Sequence, residues 1–226
     1  MREHVDAVLV DFDGTLFDTA PDLIAALNRL LEELGHAPVA FGAFRQRAGA
    51  GAKRLLLAAL DSQGAARPDD AALRPLIERL IAYYFEIETE RVQLFPSVES
   101  TIERLCDAGI ALAVCTNRGE RSTRRLLAHF DLDRHIEAVL AGDMVARIKP
   151  HPGHVREALA ALGAPPERAV MVGDSAADVD SAQGAGVAAI VTAYGYSPIP
   201  PHDLGADAVI EDFAELPASI ERLFQG

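Results

Sequence analysis

Asp11 and Asp13 stand two residues apart at the end of an apolar run, Ala7-Val8-Leu9-Val10, and Gly14-Thr15 follow them. Two carboxylates held that close repel each other unless a cation or a shared proton relieves them. The run reads as a short buried strand closed by a turn. In open α/β sheets, ligands bind at the carboxyl ends of such strands. The arrangement suits covalent chemistry on an anion. An acidic turn that caps the next helix would account for one aspartate. The nonamer Asp11-Phe12-Asp13-Gly14-Thr15-Leu16-Phe17-Asp18-Thr19 carries more than that reading uses.

Three further groups of polar residues follow later apolar runs or precede a helix. Ile110–Cys115 ends in Thr116-Asn117; Lys149-Pro150 precedes a helical segment; Ala169–Val172 ends in Gly173-Asp174-Ser175-Ala176-Ala177-Asp178. A lone Thr-Asn or Lys-Pro says little, but the series of four says more. The nonamer resembles the signature of the haloacid dehalogenase superfamily of phosphotransferases, D-x-D-G-T-hydrophobic-x-D-S/T. With the other three motifs in this order, the resemblance covers nearly the whole chain, including the tail at Tyr194-Gly195-Tyr196 and Gly205–Ile210. Within the superfamily, body and tail look most like the phosphoglycolate phosphatases.

Phosphoryl transfer needs an in-line nucleophile and stabilisation of charge on the equatorial oxygens. Asp11 can attack phosphorus, giving an aspartyl phosphate and splitting one hard displacement into two. Asp13 can protonate the leaving oxygen and then activate water, a role that calls for a raised pKa beside its neighbour. The superfamily resemblance assigns the same two roles to these positions. A dianionic phosphate also needs a hard divalent cation near these carboxylates, and oxygen ligation suits Mg²⁺. The resemblance implies Asp11, the main-chain carbonyl of Asp13 and Asp174 as its ligands, with Asp178 acting through water or from outside the ligand set. Thr116 and Asn117 are expected at the phosphate, where Thr116 offers a hydroxyl and nearby main-chain N–H groups. Lys149 is expected to neutralise charge on phosphate and Asp11.

The chain has 21 Lys and Arg together, of which only Lys53 and Lys149 are lysines. Lys53 follows Gly49-Ala50-Gly51 and is expected to touch substrate, since a retained ammonium among arginines marks a place for a compact charge. Three departures from the family pattern bear on substrate: Ser97 where relatives usually carry Gly, Arg118 in place of Lys, and His151 after Lys149-Pro150. His151 and His154 read as surface residues rather than a metal pair.

These residues need elements to hold them. Leu23, Leu27, Leu30, Leu31 and Leu34 repeat at helical spacing behind Thr19, an expected N-cap with Asp22 in a capping-box role, and Gly35 ends that helix. Helical patterns continue through Phe41–Arg47, Lys53–Leu60 and Asp69–Tyr84, with no convincing strand between Thr19 and Leu94. From Phe95 strands and helices alternate, with Ser97 expected to cap the first helix. Strands are expected at Ile110–Cys115, Ala138–Ala141, Ala169–Val172, Val187–Thr192 and Ala208–Ile210. The prediction is an α/β fold: a doubly wound, Rossmann-like parallel sheet with an inserted all-helical cap. The core is expected over 1–18 and 96–226, the cap over 19–95, and mobile hinges near Asp18–Pro21 and Gln93–Ser97.

The net charge of −13 argues against nucleic acid or an anionic membrane as partner. Met1–Asp6 run straight into the first strand with no apolar leader, and no apolar run approaches about twenty residues, so a cytoplasmic protein, monomer or homodimer, is expected. Cys106 and Cys115 read as small buried hydrophobes. The resemblance implies a small anionic phosphomonoester as substrate, with 2-phosphoglycolate leading. Sugar phosphates, including N-acetylmuramate 6-phosphate, and nucleoside monophosphates follow, as do a sugar phosphomutase and a non-catalytic binding protein on the same fold. Asp13 argues against dehalogenase and phosphonatase chemistry, whose enzymes lack an acid at that position.

Overall fold

The computed structural model describes residues 5–225. The expectation for Met1–His4 therefore lies outside the described residues. The chain divides into two units, one built from 1–17 and 94–226, the other from 18–93.

The first unit is a parallel sheet of six strands: β1 (Ala7–Val10), β4 (Ala111–Cys115), β5 (Ala138–Leu140), β6 (Ala169–Gly173), β7 (Ala188–Thr192) and β8 (Ala208–Ile210). Their order across the sheet is β5-β4-β1-β6-β7-β8. The chain works outward from β1 through β4 to β5, then returns to the other side of β1. The reversal makes the carboxyl end of β1 the switch point where such sheets bind ligands. Register fixes what meets there. Val10 pairs with Val114 on one side and Val172 on the other. Asp11 therefore follows one step on, with Thr116 and Asp174 just beyond on the neighbouring strands.

These strands are apolar on both faces because helices cover both. On one face Ala7, Leu9, Ala113, Cys115, Met171 and Val191 pack against Val155 and Leu159 of α7 (Pro152–Leu162) and Val179 and Ala182 of α8 (Ala176–Ala185). On the other side of the chain's path, α5 (Val98–Asp107) packs against β4 and α9 (Leu216–Phe224). The helix α6 (Glu120–His129) starts just after Thr116 and packs on β5.

The second unit is helical: α1 (Ala20–Glu33), the short α2 (Phe41–Phe44) continuing into a 3-10 segment, α3 (Ala52–Ser62) and α4 (Asp70–Ile87). Asp69 caps α4 by accepting from the Ala72 N–H, and Pro75 sits early enough in that helix to be carried. Where the chain passes between the units, Phe17–Asp18 (β2) and Gln93–Leu94 (β3) form a two-stranded ladder. Two residues carry no alternation, so no strand is visible there in the sequence.

Two capping expectations are corrected. Thr19 does stand at the N-cap of α1 but makes no side-chain cap bond. Asp22 points instead to the segment that follows α4, where its Oδ2 accepts from the Arg91 and Val92 N–H groups at 3.0 Å each. Full burial pushes its carboxyl above the ordinary value, against the pull of those two bonds. Ser97 occupies the N-cap of α5 in the left-handed region, φ 63°, and likewise makes no cap bond. A left-handed backbone turns the side chain away from the first-turn amides, so a serine there cannot cap. No helix among the described residues is long and apolar enough to cross a membrane.

Candidate active site

Asp11 leaves the end of β1 with its N–H donating to Val172 O at 2.8 Å, which ties the first carboxylate to the sheet. Around it lie the carboxylates of Asp174 and Asp178, all buried, with one oxygen of each within 4.8 Å of the others. One cation answers them. Lys149 is 3 % exposed, and its Nζ donates to Asp11 Oδ1 at 2.8 Å and to Asp178 Oδ1 at 2.5 Å. Burial alone would push this ammonium down, but Asp11 and Asp178 outweigh it and hold the charge firmly on.

The balance still leaves more negative charge than positive. Burial, with repulsion from Asp178 and Asp13, pushes Asp11 up to about 7 despite Lys149. Burial and the charges of Asp11 and Asp178 push Asp174 well above the ordinary value too, against the Tyr196 N–H bond. The backbone around Asp174 is shaped to take it. A Cβ on Gly14 would sit 2.2 Å from Asp174 Oδ2, and one on Gly195 would sit 2.2 Å from Asp174 Cβ. Tyr196 N–H donates to Asp174 Oδ2 at 2.5 Å. Asp11 and Asp174, oxygen donors in a cluster short of countercharge, fit a hard divalent cation.

Asp178 is committed differently from Asp11 and Asp174. Its Oδ1 takes Lys149, and its Oδ2 takes the N–H and hydroxyl of Ser175, closing a capping box on α8. Asp11 gives one oxygen to Lys149 and Asp174 gives one to Tyr196, so each keeps the other for a ligand. The i+4 spacing of Asp178 from Asp174 thus serves to brace Lys149 and start a helix.

Thr116 is buried just past β4, and its Oγ1 accepts from the Arg118 N–H at 3.2 Å, leaving its own proton to donate. Asn117 turns away from the carboxylates. Its amide grips the Lys149 backbone from both sides, donating to Lys149 O at 2.9 Å and accepting from Lys149 N–H at 3.0 Å. His154 joins that clamp: Nδ1 accepts from Lys149 N–H at 3.3 Å and Nε2 pairs with Leu140 O at 2.9 Å. The reading of His154 as a surface residue is therefore corrected. It is fully buried, and burial holds its imidazole below the usual pKa, in the neutral form these two bonds need. His151 is the half-exposed one, capping α7 through Gly153 N–H. Buried Cys115 lies nearby, but burial pushes its thiol up to about 12 and makes it a poor nucleophile.

Asp13 meets Arg118 in a fork. Nε donates to Oδ2 at 3.0 Å and Nη2 to Oδ1 at 2.6 Å. Sequence reasoning gave Arg118 no such part; its only signal was a cation following Thr116-Asn117. Tyr196 entered only as part of the tail resemblance, with no role assigned, because its contribution is a main-chain N–H. Lys53 belongs to the helical unit, at the start of α3, exposed and 3.3 Å from Asp70.

A sequence model of the haloacid dehalogenase-like hydrolases matches residues 8–192. The chain is 39 % identical over 213 residues to a phosphoglycolate phosphatase of Rhodospirillum rubrum, covering 93 % of this chain and 88 % of that one. It is likewise 39 % identical over 211 residues to a phosphoglycolate phosphatase of Caulobacter vibrioides, with the same coverage. Among solved structures it is similar to CbbY of Rhodobacter sphaeroides in complex with phosphate: TM-score 0.78, 29 % identity, 96 % of this chain and 99 % of that one.

Proposed function

The chain belongs to the haloacid dehalogenase-like hydrolases and is a phosphoric monoester hydrolase; we propose that it hydrolyses 2-phosphoglycolate to glycolate and phosphate through an aspartyl phosphate on Asp11, with Mg²⁺ as cofactor. The observation that carries this reading is the buried cluster of Asp11, Asp174 and Asp178 around a single Lys149. Such a cluster is costly to fold and useful for charge-rich chemistry.

Lys149 holds Oδ1 of Asp11 and so aims the other oxygen outward. In the first step that oxygen forms a bond to phosphorus while the ester P–O bond breaks. The departing alkoxide takes its proton from Asp13, which supplies general acid catalysis. In the second step Asp13 takes a proton from water, the water oxygen bonds to phosphorus, and the acyl phosphate bond to Asp11 breaks. Thr116 donates its hydroxyl proton to a phosphate oxygen, and Lys149 balances charge as it shifts between Asp11 and the phosphoryl group. Asp11, Asp174 and the main-chain carbonyl of Asp13 would hold the cation. When bound, Mg²⁺ offsets the charge of carboxylates and phosphate together.

The substrate is drawn from the relatives named as phosphoglycolate phosphatases. A second reading, a sugar bisphosphate, is favoured by the likeness to CbbY, solved with xylulose 1,5-bisphosphate at 28 % identity and TM-score 0.77. A panel of phosphomonoesters separates them: 2-phosphoglycolate, xylulose 1,5-bisphosphate, sugar 6-phosphates and nucleoside monophosphates, each with Mg²⁺. The highest kcat/KM is expected for 2-phosphoglycolate. A sugar phosphate that outranks it rejects the substrate, and silence on every ester rejects hydrolysis. In the same panel Lys53→Ala should lower kcat/KM for 2-phosphoglycolate about ten- to a hundredfold, the range of one charge-assisted contact to a carboxylate.

A further inference from the structure

We propose that Arg118 is a positioning residue for Asp13, fixing the direction of its carboxylate toward the leaving-group oxygen. The inference rests on the reading of Asp13 as the proton-transfer group. Asp13 has two rotatable side-chain bonds and is the more exposed of the two DxD aspartates, 25 % at its side chain. Its backbone bridges to Phe17 beyond the six-stranded sheet that ties Asp11, and Arg118 grips its carboxylate by a planar fork whose two parallel N–H···O bonds allow one orientation of the carboxylate plane.

Arg118 is itself held on every side. Its third guanidinium nitrogen donates to Oγ of Ser122 on α6. The guanidinium lies over the Phe12 ring at 5.4 Å, between the two aspartates in sequence. Its N–H donates to Thr116 Oγ1, and its carbonyl accepts from the Gly142 N–H at 2.8 Å. A Cβ on Gly142 would sit 2.5 Å from Asn117 O, so that backbone approach needs glycine. A surface cation pairing by chance has no such scaffold. The scaffold joins Asp13 to the same turn that carries Thr116, so proton transfer and phosphate contact share one rigid support.

The test uses two esters that differ in their need for a proton. The alkoxide of 2-phosphoglycolate must be protonated as it leaves; 4-nitrophenolate leaves as a stable anion. For both, kcat/KM reports steps only through transfer to Asp11. Arg118→Met should lower kcat/KM for 2-phosphoglycolate about ten- to a hundredfold and that for 4-nitrophenyl phosphate by less than about threefold, since general acid help is worth about two to four orders of magnitude. Arg118→Lys, which keeps the charge without the fork, should fall between Arg118→Met and the parent on the first ester only. Asp13→Asn should show the same selectivity more deeply, and adding Arg118→Met to it should cost nothing further.

Equal losses on both esters, no loss, or a further loss in the double variant would overturn the positioning role. Asp13→Asn that treats the two esters alike would instead reject the proton-transfer reading itself, whatever Arg118 does. Thermal melts of each variant establish folding. If Arg118→Met does not fold, the selectivity of Arg118→Lys decides.

Discussion

At the scale of single residues, Asp11 is caught between burial, which opposes its charge, and Lys149, which supports it. Burial wins, and its pKa rises from 3.8 to about 7. The folded chain therefore binds a proton that the unfolded chain has released between these values, and stability falls as pH rises through that window. Asp11→Asn removes the penalty. In chelator, the variant should be more stable than the parent at pH 8 by on the order of 1–4 kcal/mol, since each tenfold change in proton affinity is worth about 1.4 kcal/mol. The gain should shrink as pH falls from 7 toward 4, where the parent takes up its proton. Turnover should vanish, because an amide is a poor nucleophile. Steady-state activity in the pure variant would falsify the nucleophile assignment, and a gain that widens toward acid would contradict the charge argument.

Among the elements, the start of α5 holds a strain that the sequence hinted at without explaining. Ser97 takes φ 63° where the chain re-enters the sheet unit, and its hydroxyl makes no cap bond in return. A left-handed backbone costs a residue with a Cβ about 1–2 kcal/mol. Ser97→Gly should therefore stabilise the protein by roughly 1 kcal/mol, after the entropy that glycine adds to the unfolded chain. A urea melt with a higher midpoint and unchanged slope is the expected result. An unchanged or lower midpoint would show that the serine contributes something the backbone geometry does not reveal. Glycine is needed elsewhere for a different reason: at Gly14 and Gly195 the neighbour is Asp174, and a side chain at either would displace it.

Over the whole molecule, a net charge of −13 surrounds a site proposed to accept a dianion. Among the described residues, Lys149 and Arg118 are the cations that meet these aspartates, and they are already paired with Asp11, Asp178 and Asp13. Binding of the substrate phosphate thus calls for charge from outside the chain, which is the physical case for Mg²⁺. A ligand that binds only the folded state adds stability, about 2.7 kcal/mol at a hundred times its Kd. Mg²⁺ should raise the melting temperature of the parent and leave that of Asp174→Ala nearly unmoved, while chelator stops turnover and Mg²⁺ restores it. Full activity in excess chelator, or an equal Mg²⁺ shift in Asp174→Ala, would count against the metal site.

The strands around β1 and the aspartates at their ends were legible in the sequence because each depends on local pattern: an apolar run of strand length, then a polar turn. The alternation of strands with helices carried the α/β class, and helical spacing carried the inserted helices. What the sequence left open depends on contacts between distant segments. Asp22 reads as a capping residue, yet its carboxylate pins the segment that follows α4, because two amides 69 and 70 residues away in sequence donate to it. His154 reads as a surface histidine from its neighbours in sequence, and is buried because Lys149 and Leu140 converge on it. Arg118 reads as a departure from the family pattern bearing on substrate, and its pairing with Asp13 shows only when the sheet brings the two together across 105 residues. Sequence determined which groups could react and on which elements they ride. Only the tertiary structure decided which of them touch, through the register of β4 and β6 against β1 and the clamp of Asn117 and His154 on Lys149, since hydrogen-bond geometry and burial, unlike periodicity, are properties of the assembled fold.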